Sequence, residues 1–493
     1  MIAHESLPGH VVYGSVVVSI KPSLRHCAFL SISVHAGVLN RKIVLRVVVL
    51  WGGRLDVRIR PWFLMCLPVT AAILIGTSIS AASSPSHAAS GSSMPLAATS
   101  PTPGISPGTA FTPVVVSTLT HPEPVQASDG KVHIAYELVL TNAAPFPARI
   151  DKVEVLNAVT GRAVLVLTGA ALRADLTPVA GQLGDEDSID PAESSSRTVP
   201  SSAAWVAWLD VTVAARTDVP QRLEHQVMGA LLPPSGAAPL PFNSKVGSVP
   251  VSTRIPPVLS PPVKGGIWYM SEGCCNDDTH HRRGLAPING QLAVPQRFAI
   301  DFFRLDAEHR TWVGDPSKVT SYLSYRQPVI AAAPGTVVAS RNDLLNSTAL
   351  PHPPPIPPID QTVGNFVIEQ IAPGVYVLYA HLDPGSVQVH AGQKVSRGQL
   401  LGRIGTSGNS TTPHLHFQLL TTPTFFPTDS KPYVFVHFDL LGQITKRLWD
   451  DNLGLQPTGT LPFAAAAHPG PRTDELPLDR TVVDFPTTNL ARP

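Results

Sequence analysis

Gly405-Thr406-Ser407-Gly408-Asn409-Ser410-Thr411-Thr412-Pro413-His414-Leu415-His416-Phe417 is the stretch on which the reading of this chain turns. A glycine-rich turn leads into an apolar run that carries two histidines separated by one residue. In a strand, side chains at i and i+2 share a face, so the spacing aims both imidazoles at one spot. Two imidazoles placed this way either share a metal, or set one on the metal and the other beside its bound water.

Working outward, Val375-Tyr376-Val377-Leu378-Tyr379-Ala380-His381 reads as a strand with Tyr379 and His381 on one face. Gly392 to Val395 and Gly398 to Gly402 read as bends around a small β-core. Arg297-Phe298-Ala299-Ile300-Asp301-Phe302 alternates into a strand that carries an acid. With Pro328-Val329-Ile330-Ala331-Ala332-Ala333-Pro334-Gly335-Thr336-Val337, these segments resemble the lysostaphin-like (LytM-type) zinc endopeptidases, bacterial enzymes that cut the peptide cross-links of peptidoglycan. That family runs His-x-x-x-Asp, Pro-Val-x-Ala-x-x-x-Gly-x-Val, Tyr-x-His, a Gly-x-x-Gly-x-Ser turn, then His-x-His. Asp301, the Pro328 to Val337 run, Tyr379-Ala380-His381, the Gly405 to Ser410 turn and His414-Leu415-His416 match it in order. Ordered landmarks are far more specific than any one short motif. The resemblance covers about Gly265 to Leu441, and it implies that Asp301 and His416 bind zinc while His381 and His414 flank the metal's water.

One landmark departs from the pattern. Arg297 stands four residues before Asp301, where the family has its first zinc-binding histidine. Continued as a strand, the segment would turn Arg297 toward the metal. A guanidinium is permanently protonated and has no lone pair to give. Either another residue supplies the third ligand, or the site holds metal weakly, or it is no longer a zinc site. Gly273-Cys274-Cys275-Asn276-Asp277-Asp278-Thr279-His280-His281-Arg282 offers His280 or His281 as a replacement. Adjacent cysteines lack the separation of a self-contained structural zinc site. The segment also reads as a polar loop with a vicinal disulfide, or with Asp277 and Asp278 paired to Arg282 and Arg283.

Composition narrows the class. A net charge of +1 gives no field for a nucleic-acid partner, and 51 prolines with 14% charged residues indicate many linkers and strand ends. Arg58-Ile59-Arg60, the apolar run from Trp62 to Ile75 and the small residues Ser78 to Ser84 read as an export signal. The run is broken by Pro68 and is shorter than the ~20 residues that span a bilayer, so a stable membrane anchor is not expected. No lipobox precedes Cys66. Because this signal begins so far from Met1, residues 1–56 read as a doubtful extension of the gene start. Beyond the signal (57–89) and a flexible spacer (90–111), short β-branched strands suggest an immunoglobulin-like β-sandwich over 112–255. There, Trp205 and Trp208 read as packed core rather than as an exposed carbohydrate platform. A linker and polar loop follow (256–289), then the lysostaphin-like antiparallel β-domain (290–445), and a tail (446–493) in which Thr481 to Phe485 could dock as an edge strand.

The fold expected is therefore mainly β. The function expected is a secreted or envelope-located hydrolase: a zinc-dependent metalloendopeptidase with an incomplete ligand set, acting on the peptide of bacterial peptidoglycan. The alternative is a degenerate module that binds peptidoglycan or activates another hydrolase. No nucleic-acid partner is expected, and the sequence is silent on oligomeric state.

Overall fold

Alternation of apolar and polar residues has become antiparallel sheet almost everywhere in the computed structural model, which describes residues 16–23, 27–36, 41–50, 110–179, 197–234, 236–275, 279–348, 350, 357–445 and 459–487. The expected export signal, Asp277 and Asp278 lie outside these residues. Within 1–102, which forms a unit by itself, Val16–Ser23, Cys27–Ala36 and Arg41–Leu50 pair as a three-stranded antiparallel sheet, although the sequence there showed no domain pattern.

Residues 110–252 fold as two five-stranded antiparallel sheets. Strands Val132–Asn142 and Ala204–Val213 pair along their length in one sheet; Ala148–Asn157 and Arg222–Leu231 form the centre of the other. Ile134, Tyr136, Leu138 and Leu140 share a core with Val153, Val155, Leu223 and Val227 from the facing sheet. The period of two also shows what the opposite face does. Ala135 joins the core of the downstream region, and Val139, Val206 and Trp208 pack with its Leu285 and Val294. Strand Val132–Asn142 is thus covered on both faces, as its almost unbroken apolar run requires. Trp205 and Trp208 are both buried, and the Trp208 indole donates to Thr177 Oγ1 at 2.8 Å.

The downstream sheet is built around Asp301. Its strand, Ile300–Arg304, lies between Gly266–Ser271 and Leu415–Leu420; beyond the latter come Val375–Leu382, Asn365–Ala372 and Gly335–Arg341. The other half was not foreseen from sequence. Thr481–Phe485, expected at most at an edge, is inserted between Gly266–Ser271 and Phe438–Gln443, and Ala464–Arg472 pairs onto the latter. Val483 and Phe485 enter the same core as Phe302, Phe417 and Phe435, so burial of a short apolar run decides its position. Cys274 and Cys275 form the vicinal disulfide.

Candidate metal centre

Register fixes the first contact. Asp301 stands directly across from His416, and His416 across from Ala380 on the next strand. Facing residues of antiparallel neighbours are ~4.5 to 5.5 Å apart, close enough for side chains to bond. His416 Nδ1 lies 3.0 Å from Asp301 Oδ1. His414, just before the strand, brings Nε2 to 3.3 Å from Asp301 Oδ2.

His381 arrives by a different route. Simple alternation would leave it with Tyr379, as the sequence suggested. Tyr379 instead points into the core, where its hydroxyl donates to Glu369 Oε2 and accepts from Ala332 N, each at 2.8 Å. His381 has φ of 60°, a left-handed conformation that is costly for a residue with a Cβ. This breaks the alternation and turns the ring to the metal face, 4.9 Å from the His414 ring and 5.8 Å from that of His416.

The fourth imidazole is His281. Thr279 caps the short helical turn His280–Arg283, and from it His281 Nε2 reaches to 3.7 Å from Asp301 Oδ2, with its ring 4.8 Å from that of His416. His280 is exposed and pairs with Glu272 at 3.1 Å, while bringing a ring nitrogen within 4.8 Å of the ligand atoms of His281 and Asp301. The cysteines of the same segment are bonded to each other and offer no thiolate.

Arg297 does not enter the pocket. The chain makes a turn at 295–298 before the strand begins, so the strand geometry that would aim it at the metal never applies. Its guanidinium instead bonds both oxygens of Glu137, at 2.9 and 2.6 Å, and Asp429 Oδ1 at 2.5 Å. An expected repulsive charge has become a buried ion pair elsewhere.

Hydrogen bonds from behind set each ring's lone pair. Carbonyl oxygens accept from Nδ1 of His281 (Glu272 O, 3.0 Å), His381 (Ser407 O, 2.8 Å) and His414 (Thr412 O, 2.7 Å), leaving each Nε2 bare. For His416 the roles of the nitrogens are reversed. Gln418 Nε2 donates to Pro295 O at 2.7 Å, which turns its Oε1 toward His416 Nε2 at 2.8 Å and leaves Nδ1 to face Asp301. Such outer partners orient the ligands of metal sites. Burial pushes the His281, His381 and His414 pKa values down, the first two far down, so these rings are neutral near pH 7. For Asp301, burial alone would raise the pKa, but the imidazoles of His414, His281 and His416 outweigh it and hold the carboxyl well below its usual range.

The result is a surplus of electron pairs around one carboxylate. Bare imidazole nitrogens at 3.0, 3.3 and 3.7 Å from its oxygens meet the carboxylate lone pair to lone pair, a repulsion that a proton or a cation between them relieves. Donor atoms of tetrahedral zinc, with bonds of ~2.0 to 2.2 Å, are ~3.4 Å apart, close to the spacing of these imidazoles from Asp301, and His280, His281 and Asp301 bring ligand atoms within 4.8 Å of one another. Sequence reading named Asp301, His381, His414 and His416 and left His281 open. It missed Gln418 and Glu137, although a glutamate in the otherwise apolar run Ala135 to Leu140 was a visible signal.

Residues 319–426 match peptidase family M23. Peptidoglycan DD-endopeptidase ShyA of Vibrio cholerae is 37% identical over 93 residues, covering 19% of this chain and 17% of ShyA. Cell division protein DipM of Caulobacter vibrioides is 30% identical over 97 residues, covering 20% of this chain and 13% of DipM. The chain therefore spans less than a fifth of the length of either relative. Among solved structures, the catalytic domain of the antimicrobial peptidase lysostaphin from Staphylococcus simulans is 20% identical, covering 34% of this chain and 88% of that one at a TM-score of 0.19. The matched segment and the motif order together identify this chain as one that carries a domain of peptidase family M23, the lysostaphin-like metallopeptidases.

Proposed function

We propose that the protein is a zinc-dependent endopeptidase that acts on the peptide of bacterial peptidoglycan, exported to the cell envelope or beyond. The observation that carries the reading is the convergence of four buried imidazoles on Asp301 with their lone pairs directed inward. Asp301, His416 and His281 are the residues that would hold zinc, and His381 and His414 those left for proton transfer. Bound zinc supplies Lewis-acid polarisation of a scissile carbonyl and a water of near-neutral pKa. His381 and His414, neutral and with Nε2 free, are able to take a proton from an attacking water and return it to the departing amine. Their Nδ1–H bonds to Ser407 O and Thr412 O keep that nitrogen from competing for the proton. The peptidoglycan substrate is supported by the names of the relatives, and export by the segment over 57–89.

The test is metal analysis of the purified protein together with release of soluble peptide fragments from isolated peptidoglycan, repeated for His416→Ala. Stoichiometric zinc and fragment release, both lost in the variant, support the reading. A wild-type protein that sediments with peptidoglycan but releases nothing would instead be the non-catalytic binding module. The main argument for that alternative was the arginine at position 297, and it weakens because Arg297 is bonded away from the pocket.

A further inference from the structure

Four residues of helix do not hold their own shape in water. The His280–Arg283 turn has two side-chain acceptors at its start, Thr279 Oγ1 for Arg282 N at 3.2 Å and Glu272 Oε2 for His280 N at 3.0 Å, and Glu272 O holds His281 Nδ1 at 3.0 Å. Its two arginines are held by the two-sheet region. Arg282 is buried; its guanidinium donates to the Glu137 carboxylate, to Tyr136 O at 3.0 Å and to Leu209 O at 3.1 Å, and lies 5.2 Å above the Trp208 ring. Arg283 reaches Ala174 O at 3.1 Å and Asp175 Oδ1 at 3.2 Å. The residue between His280 and Arg282 is His281, which faces Asp301. Glu137 is also the partner of Arg297, and Asp429, bonded to Arg297, accepts from Thr120 Oγ1 at 2.6 Å.

Holding the two regions together does not require these charges. Val139, Val206 and Trp208 already bury apolar surface against Leu285 and Val294. A buried ion pair is commonly no more stabilising than well-packed apolar residues of the same volume. A glutamate at this place in an apolar strand therefore calls for another role. We infer that Glu137 is a positioning residue for the metal centre: through Arg282 it carries His281 to Asp301, so that docking of the two-sheet region completes the metal's donor set. The inference rests on the metal reading above. It also accounts for Arg297, which anchors that same glutamate.

The experiment is a zinc-affinity cycle on the full chain, read by competition with a chromophoric chelator, across wild type, Glu137→Gln, His281→Ala and the double variant. Glu137→Gln, acting one residue further back than the groups whose loss costs ~10- to 100-fold, is expected to weaken zinc by up to about 10-fold and to add nothing once His281 is alanine. A folded Glu137→Gln protein with wild-type affinity overturns the inference. So does an equal loss in the His281→Ala background, which would report general loosening. Should Glu137→Gln not fold, Arg282→Lys and Arg282→Lys with His281→Ala give the same cycle and the same two readings. A wild-type protein that takes up no zinc at all overturns the metal reading itself, and the inference with it, which sets that failure apart from the other two.

Discussion

Two clusters in this molecule place buried histidine beside aspartate, and they behave in opposite ways. In the two-sheet region, His133 lies between two carboxylates, Nδ1 at 2.9 Å from Asp210 Oδ2 and Nε2 at 3.2 Å from Asp129 Oδ1. Burial lowers its pKa, but the hydrogen bonds to Asp129 and Asp210 outweigh that and push it up to about 9. At Asp301 the ratio is reversed: several imidazoles share one carboxylate, and burial drives His281, His381 and His414 toward the neutral form. One imidazole with two acids keeps a proton. Several imidazoles with one acid lack positive charge, which a divalent cation would supply. The count of donors against acceptors, not the presence of histidine and aspartate, separates an ion pair from a metal site.

The largest effect should come from removing the single carboxylate. Asp301→Asn is expected to lower zinc affinity by more than the ~100-fold upper range for a group behind a ligand. It should also shrink the chelator-induced drop in melting temperature, worth ~4 kcal/mol in wild type if free zinc stands at about a thousand times Kd, to less than ~1.4 kcal/mol. A variant whose drop with chelator equals that of wild type would break the comparison.

Arg297→His separates the two fates of a positive charge near this site. Had the arginine filled the pocket, the change would raise zinc affinity; bonded as it is to Glu137 and Asp429, it should leave zinc no tighter and cost ~1 to 3 kcal/mol, because Glu137 keeps Arg282 but loses its bidentate partner. Denaturant unfolding and chelator competition on the same sample check both halves.

Gly364→Ala tests the proton-transfer side alone. Gly364 has φ of +64°, and an added Cβ would stand 2.2 Å from Ser407 O, the acceptor that orients His381. The expected outcome is zinc retained, kcat for peptide cleavage lowered, and ~1 to 3 kcal/mol of strain. Unchanged turnover would remove His381 from the proposed role.

The smallest effect concerns His133. A folded pKa of about 9 against the ordinary 6.5 means its stabilisation is complete below about pH 6.5 and is lost as pH rises through about 9. Asp210→Asn should therefore cost ~1 to 2 kcal/mol at pH 6, with the gap to wild type closing by pH 10 and zinc affinity unaffected. A gap that widens with pH would mean that His133 is not held protonated.

Much of the site was legible in the sequence because its parts lie on strands. Alternation and the glycine turn before His414 are local properties, and they put Asp301 and His416 on strands with His414 two residues from His416; the pairing of those strands is what brought the three together. The match to family M23 begins only at residue 319, downstream of Asp301, so the acid itself was read from its strand and from motif order. Local rules failed wherever the backbone departed from regular geometry. His381 reached the site through a positive φ that no alternation pattern encodes, and Arg297 left it because a turn precedes the strand.

By itself, then, the sequence determined the mainly β character, the family kinship and the residues with lone pairs to give, since these follow from side-chain chemistry and short-range spacing. Only the tertiary structure decided that His281 stands beside Asp301, that Thr481–Phe485 is an inner strand, and that Glu137 bonds Arg282, the neighbour of His281 in sequence. Those outcomes depend on which distant segments exclude water together. A buried charge must find its partner wherever the fold brings one, and Glu137 and Arg297, 160 positions apart in sequence, have no local signal that joins them.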